Sequence, residues 1–263
     1  MLAGIKKGPS KVYDKEMITA EEDLSFRTYS PILNYRYDRW FQQVEYNGRT
    51  LNEDERKEFV KVIDETVSTF SSGLPMLVDE LKRSDGLEDD YHKICRAIYF
   101  VSLFVVMTMC DCMVAGKHFI LAENDYDKRF MRGKMKVILN EGFKKLYGYI
   151  EKNKKESEWF RLLDYMKFFP EVINRQYQDL TFQLEKQSKI STWWRDERNY
   201  ETHIDSEKLY DSRMVEIEES KEMMETLRLY DALLAVNHFL SNAHACLRNY
   251  LVEKYRRGEI KVE

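Results

Sequence analysis

Apolar residues recur along most of the chain at intervals of three, four or seven positions, with polar residues between them, which is the pattern of amphipathic helices. The clearest stripe predicts a long helix over about residues 215–257, and it consists of Met223, Leu227, Tyr230, Leu234 and Leu240. Gly258 follows at the position where a glycine commonly ends a helix.

Upstream, the same pattern predicts helices over about residues 53–83, 88–121, 126–152, 159–169 and 172–187. The first is expected to begin at a capping box made by Asn52 and Glu55 and to bend or break near Gly73 and Pro75. Glycines are expected to weaken the helix over 126–152, at Gly133, Gly142 and Gly148.

The helices predict an all-α fold, a multi-helix bundle with long antiparallel helices. With 10 Gly and 4 Pro in 263 residues, the chain has too few turn residues for a β-sandwich or barrel. Residues 1–29 are expected to form a polar N-terminal arm, followed by a short aromatic helix over about residues 32–44 and a turn at 46–49. Residues 30–258 are predicted to be one helical-bundle domain.

Composition and charge predict the cellular compartment of the protein and the kind of surface it can bind. The run of uncharged residues 97–110 is too short to span a bilayer, so we expect it to be the central helix of a core, and we expect no membrane association. The absence of an apolar N-terminal stretch and the uneven spacing of four cysteines predict a cytoplasmic protein with reduced thiols. The net charge of -4 means that any contact with nucleic acid must be local.

One segment carries candidate chemistry, the run TWWRDERNYETHID at residues 192–205. Arg198 and His203 are five positions apart, which on a continuous helix places them roughly 140° apart around the axis. They can act on one site only if the helix ends between them or if a second copy supplies the partner group. This geometry favours a homodimer.

The pair suits RNA cleavage without a metal ion or other cofactor. Histidine titrates near neutrality and can exchange a proton, whereas arginine stays charged and matches phosphate oxygens. The RNA 2′-hydroxyl can be the nucleophile, so the protein need not provide one. Asn199 is a candidate for orienting the phosphate or the histidine, and Asp205 for fixing the histidine tautomer.

The segment resembles the signature of the HEPN superfamily, with Arg198 at the arginine position, Asn199 at the polar position and His203 at the histidine position. The resemblance implies a helical bundle, with a HEPN-like core at roughly residues 88–257. It also implies a homodimer whose two motifs share one cleft and a metal-independent endoribonuclease, often of a toxin–antitoxin or phage-defence system with a cognate antitoxin. Some members of the superfamily are binding or scaffold modules without activity.

A basic stretch supplies candidate RNA-binding residues, namely Lys128, Arg129, Arg132 and Lys134, and Trp194 is a candidate for stacking on a base. The alternatives are an exposed helix face for the basic stretch and core or dimer packing for the tryptophan. No metal site is predicted: Asp111, Cys112 and His118 match no standard zinc spacing, and core thiols are the expected role of the cysteines in this helix.

The motif also has a purely structural interpretation. Arg198 can pair with Glu201 or Asp205, while His203 caps a helix or lies half-buried. The chain would then be a non-catalytic helical module that binds a partner protein, a nucleotide or RNA.

Overall fold

A computed structural model describes residues 52–148, 157–203, 210, 214 and 219–258. Within these ranges the chain forms helices and no strand, which confirms the predicted all-α multi-helix bundle. The predicted arm at 1–29, the aromatic helix at 32–44 and the turn at 46–49 lie outside the described residues.

The described helices, in chain order, are α1 (Glu53–Ser72), α2 (Leu74–Ser84), α3 (Asp90–Leu121), α4 (Asp125–Tyr147), α5 (Glu158–Arg161), a 3-10 helix (Leu163–Phe168), α6 (Glu171–His203) and α7 (Glu219–Arg256). The predicted capping box is present, because Asn52 Oδ1 accepts from Glu55 N at 2.9 Å and Glu55 Oε2 accepts from Asn52 N at 2.8 Å. The predicted break also occurs, with Gly73 between α1 and α2 and Pro75 in the first turn of α2.

Two predicted boundaries were wrong. α4 stops at Tyr147 and not near residue 152, because Gly148 takes a φ of 87°, a left-handed conformation that ends the helix. The helix predicted at 159–169 is instead the short α5, which ends at Arg161, followed by the tighter 3-10 helix before Pro170.

The largest correction concerns α6. The periodicity predicted a helix ending near residue 187, with the motif in a separate segment, but α6 runs unbroken for 33 residues from Glu171 to His203. At 1.5 Å per residue its length is about 50 Å. The motif therefore occupies the last turns of a long helix.

α3 lies at the centre of the bundle and packs against α1, α2, α4 and α7, while α6 packs on α4 and α7. Buried apolar side chains from Phe59 to Tyr250 form one cluster. Trp159 is stacked on Tyr177 at 4.6 Å between ring centroids and meets Phe239 edge-on, which joins α5, α6 and α7. The predicted domain limits, including the HEPN-like core at 88–257, stay predictions.

α3 and α4 approach each other closely at Gly142. A Cβ built at this glycine would lie 2.6 Å from Thr108 Cγ2, well inside van der Waals contact. Thr108 is buried, and its hydroxyl donates to Phe104 O at 2.9 Å, so its side chain has little freedom to move. Gly142 therefore sets how closely the two helices pack.

α3 is also, among the described helices, the one long and apolar enough to cross a membrane by length and composition. Of its most apolar window of 18 residues, 44% are buried within the bundle. The expectation that this helix is a core helix and not a membrane span stays a prediction.

Candidate functional site

The motif lies where the C-terminal part of α6 runs beside α4. The structure describes the side chains of Arg198 and Asn199, and it places His203 as the last residue of α6. Asp205 lies outside the described residues. The motif was identified from the sequence, whereas its place on α6 and its neighbour on α4 were not predicted.

Arg198 is held by Glu141 of α4. Arg198 Nε donates to Glu141 Oε1 at 2.7 Å, and Nη2 donates to the same oxygen. The structural interpretation of the sequence named Glu201 or Asp205 as the partner, and both carboxylates lie outside what the structure describes, whereas Glu141 is a partner that the sequence did not indicate. The motif is thereby bonded to a second helix of the bundle.

Asn199 completes this cluster. Arg198 Nη1 donates to Asn199 Oδ1 at 2.6 Å, so the amide and the carboxylate hold the guanidinium from two sides. The Arg198 side chain keeps 18% of its surface exposed and Glu141 keeps 43%, which places the cluster at the edge of the bundle within reach of solvent. Asn199 therefore orients the arginine, a role that the sequence analysis did not assign to it.

The continuity of α6 excludes one of the two geometries that the sequence left open for Arg198 and His203. Arg198 and His203 are on the same unbroken helix, so five residues of rotation separate their backbone positions by roughly 140°. The geometry in which the helix ends between them is excluded. The geometry that stays open is the one in which a second copy supplies the partner group.

The predicted basic stretch divides between surface and interior. Lys134 is exposed and lies 5.1 Å from the Phe130 ring centroid, whereas Lys128 and Arg129 are half-buried. Arg129 Nη1 lies 3.9 Å from Met214 Sδ. Trp194 is within α6, and its side chain lies outside what the structure describes.

Arg132 is wrongly predicted as an RNA-binding residue. Its side chain is 10% exposed, and Nε donates to Glu222 Oε1 of α7 at 2.6 Å. Lys136 is buried as well, with Nζ 3.0 Å from Glu222 Oε2. Burial raises the pKa of Glu222, but the charges of Lys136 and Arg132 outweigh it and hold that pKa below its usual value. This triad is an interior link between α4 and α7.

Other basic residues of α4 lie nearer to the motif. Lys134 precedes Glu141 by two helical turns, which puts both on one face about 10 Å apart along the axis. Lys144 Nζ is 3.6 Å from Glu141 Oε2, and Lys145 is exposed one turn beyond Glu141. The sequence analysis missed both residues, although the eleven-residue spacing from Lys134 puts Lys145 on this face, with Nζ 5.5 Å from the Phe104 ring centroid of α3.

The core role predicted for the cysteines of α3 is confirmed for Cys95 and Cys112 but not for Cys110, which is half-buried. Cys95, Cys112 and Cys246 are buried, and burial raises the pKa of the Cys112 thiol, which keeps it protonated and unreactive. Among residues 52–148, 157–203 and 219–258, no three His, Cys, Asp or Glu side chains are grouped as metal ligands.

Comparison with known proteins adds no relative. The sequence matches no protein-family model, and neither a curated protein nor a solved structure is significantly similar to it.

Proposed function

We propose that this chain is a HEPN-like endoribonuclease that cleaves RNA without a metal ion, as a homodimer, with Arg198 and His203 as its catalytic pair. The observation that carries the proposal is the Arg198–Asn199 pair, a partly exposed guanidinium oriented by the neighbouring amide within an all-helical bundle. A guanidinium buried in dry packing would have no access to a phosphodiester.

The proposed reaction is attack of the RNA 2′-hydroxyl on the adjacent phosphorus, with departure of the 5′-oxygen and formation of a cyclic phosphate. Arg198 stabilises the negative charge that builds on the phosphate oxygens. His203 takes the proton from the 2′-hydroxyl and, as the imidazolium, gives a proton to the leaving 5′-oxygen. Asn199 orients the arginine, and Asp205 is the candidate partner of the histidine.

Substrate must compete with Glu141 for Arg198. A partly exposed ion pair is worth about 0–1 kcal/mol, so a phosphate that brings two oxygens to the same fork can replace the carboxylate. Lys144 beside Glu141, and Lys134 two turns before it on α4, add positive charge near the motif and attract the RNA backbone. The overall charge of -4 confines this attraction to the neighbourhood of the motif.

The cellular setting is part of the proposal. By the resemblance, a cytoplasmic toxin–antitoxin or phage-defence role fits best, with an antitoxin or other partner protein restraining the nuclease.

The test is cleavage of a labelled RNA in the presence of a metal chelator, comparing the native chain with Arg198→Ala and His203→Ala. Matched controls are Arg175→Ala, an exposed arginine of the same helix paired with Glu171, and His118→Ala, an exposed histidine of α3. We expect both motif variants to lose cleavage and both controls to keep it. Cleavage that survives in both motif variants would show that another site is responsible.

A second candidate function is a non-catalytic interaction module, and the Glu141 contact favours it. The two hydrogen bonds from Arg198 to this carboxylate are what a structural arginine joining α6 to α4 would make. This alternative predicts no turnover of any RNA, together with partner binding that is unchanged in His203→Ala.

A further inference from the structure

One face of α3 carries large apolar side chains that the bundle does not cover. Phe100, Met107, Val114 and Leu121 follow one another at intervals of seven residues, and they are 42%, 50%, 39% and 50% exposed. Because seven residues are close to two helical turns, the four form one line about 31 Å long, which we call the α3 strip. An uncovered apolar line of this length marks a contact surface.

The strip continues into a pocket at the corner between α3 and α4. The pocket has a volume of about 340 Å³, and its lining includes Leu121, His118, Phe130 and Met131. Phe130 is 39% exposed and the nearby Tyr126 69%, so apolar surface extends beyond the end of the helix. The strip and the pocket together form one continuous surface that ends at this corner.

The chain enters the described bundle at the same corner. Arg56, in the first turn of α1, donates through Nη1 to Ile120 O at 2.8 Å, one residue before the end of the strip. Lys117 Nζ contacts Asp64 Oδ1 at 2.6 Å, so α1 runs antiparallel to α3 from this point. Asn52, the first residue that the structure describes, therefore lies at the same end of α3 as the pocket.

The sequence before Asn52 contains a segment of matching character. Within the predicted helix at 32–44, one face about 100° wide carries Leu33, Tyr37, Trp40, Phe41 and Val44. Thirteen helical residues extend about 20 Å, and the seven residues 45–51 can span up to about 23 Å. The segment can therefore lie along the strip while still joined to α1.

The charge of Asp111 favours residues 32–44 over a second copy of the chain as the group that covers the strip. Asp111 is exposed midway along the strip, so two strips related by a two-fold axis through the strip's midpoint would bring two Asp111 carboxylates together. The segment instead brings Arg36 beside its apolar face, where the guanidinium can pair with that carboxylate. A lipid occupant would have to desolvate Asp111 without a partner.

We propose that residues 32–44 form an amphipathic helix that docks along the α3 strip, beside α1 and antiparallel to it, with its C-terminal end next to the pocket. The docked segment would cover about 20 Å of the roughly 31 Å strip, from Leu121 to Met107, and would become part of the bundle.

Methionine oxidation by peroxide tests the docking in the full chain, because Met107 lies in the strip and Met76, 61% exposed on α2, is a comparator within the same molecule. We expect Met107 to oxidise several-fold more slowly than Met76, at any protein concentration. The double variant Trp40→Ser/Phe41→Ser should remove the difference, and Tyr35→Ser, on the opposite face of the segment, should not.

Four results would overturn the proposal. They are equal oxidation of the two methionines in the native chain, protection of Met107 that disappears on dilution, protection that requires added vesicles, and protection that persists in the double variant. The second would assign the strip to another copy, and the third to a membrane.

A substitution in the strip provides a test that does not depend on the double variant folding. Val114→Lys should speed hydrogen exchange of the peptide covering residues 32–44. Leu163→Lys, which places the same charge at a 48% exposed leucine of the 3-10 helix, should leave that exchange unchanged. Equal exchange in the native chain and in Val114→Lys would exclude docking on the strip.

Discussion

Arg198 on α6 and Glu141 on α4, 57 positions apart in the sequence, are joined by two hydrogen bonds to one carboxylate oxygen. The pair connects the candidate catalytic motif to the bundle. It also places a negative charge where a nuclease would need to bind a phosphate.

Replacing Glu141 by glutamine should tighten RNA binding. Glu141→Gln removes the competing charge from Arg198, and since a partly exposed pair is worth up to about 1 kcal/mol, we expect affinity to rise by up to about fivefold. Fluorescence anisotropy at fixed salt measures the change. Glu171→Gln is the control, because it removes the same charge at the opposite end of α6. An unchanged or weaker affinity in Glu141→Gln would count against Arg198 as a phosphate ligand.

Mixing two inactive variants should restore cleavage if the site is shared between copies. A heterodimer of Arg198→Ala and His203→Ala keeps one site with the arginine of one chain and the histidine of the other. We expect activity to reappear on co-refolding or subunit exchange, measured on the same labelled RNA. If the mixture stays inactive although heterodimers form, the two groups do not act across the dimer.

The interior triad should be sensitive to loss of its glutamate. Glu222→Gln removes the carboxylate charge that contacts the buried Arg132 and Lys136, so we expect the free energy of unfolding in urea to fall by about 3–5 kcal/mol. The control is Glu253→Gln, which breaks an exposed pair with Arg256 on the same helix and should cost about 0–1 kcal/mol. A small effect of Glu222→Gln would mean that water or rearrangement solvates the two cations.

The contribution of Glu222 to the stability of the fold should depend on pH. Because its pKa is lowered in the folded state, its contribution to stability is complete above its unfolded pKa of about 4.3 and is lost as the pH falls through the folded value. The stability difference between the native chain and Glu222→Gln should therefore be constant near neutral pH and shrink below about pH 4. Urea titrations of both proteins across this range check the sign, and a difference that grows on acidification would contradict it.

Adding one methyl group at Gly142 should destabilise the bundle. Gly142→Ala improves helix propensity by about 1 kcal/mol but presses Cβ onto Thr108 Cγ2, and overpacking of this kind costs about 1–3 kcal/mol. Thr108→Ser removes that methyl group, so Gly142→Ala should be better tolerated in a Thr108→Ser background. Thermal unfolding of the four proteins in the cycle measures the coupling, and strictly additive effects would show that the contact is not the cause.

Local signals along the sequence predicted most of the helices. The Asn52–Glu55 capping box and the break at Gly73 depend on neighbouring residues, and both were predicted correctly. The end of α4 was missed because Gly148 was weighed only for helix propensity, although a glycine can also end a helix by taking positive φ.

Partners distant in the chain could not be predicted in this way. The sequence could not distinguish the buried Arg132 from the other basic residues of 128–134, because its counter-ion Glu222 is 90 positions away on another helix. For Arg198, the sequence analysis named acids close in the chain as possible ion-pair partners, since no neighbouring residue indicates that Glu141 of α4 lies beside it. The motif itself was found from residue types and spacing, while its surroundings required the packing of α4 on α6.

The close contact at Gly142 has a further effect on the surface. Glu141 is the adjacent residue, so the rotational setting that Thr108 imposes on α4 also aims the carboxylate that holds Arg198. If α4 turns about its axis to accommodate a larger residue in the core, Glu141 turns with it. Repacking between α3 and α4 would thereby change the orientation of the Arg198 guanidinium, although no residue of the motif is altered.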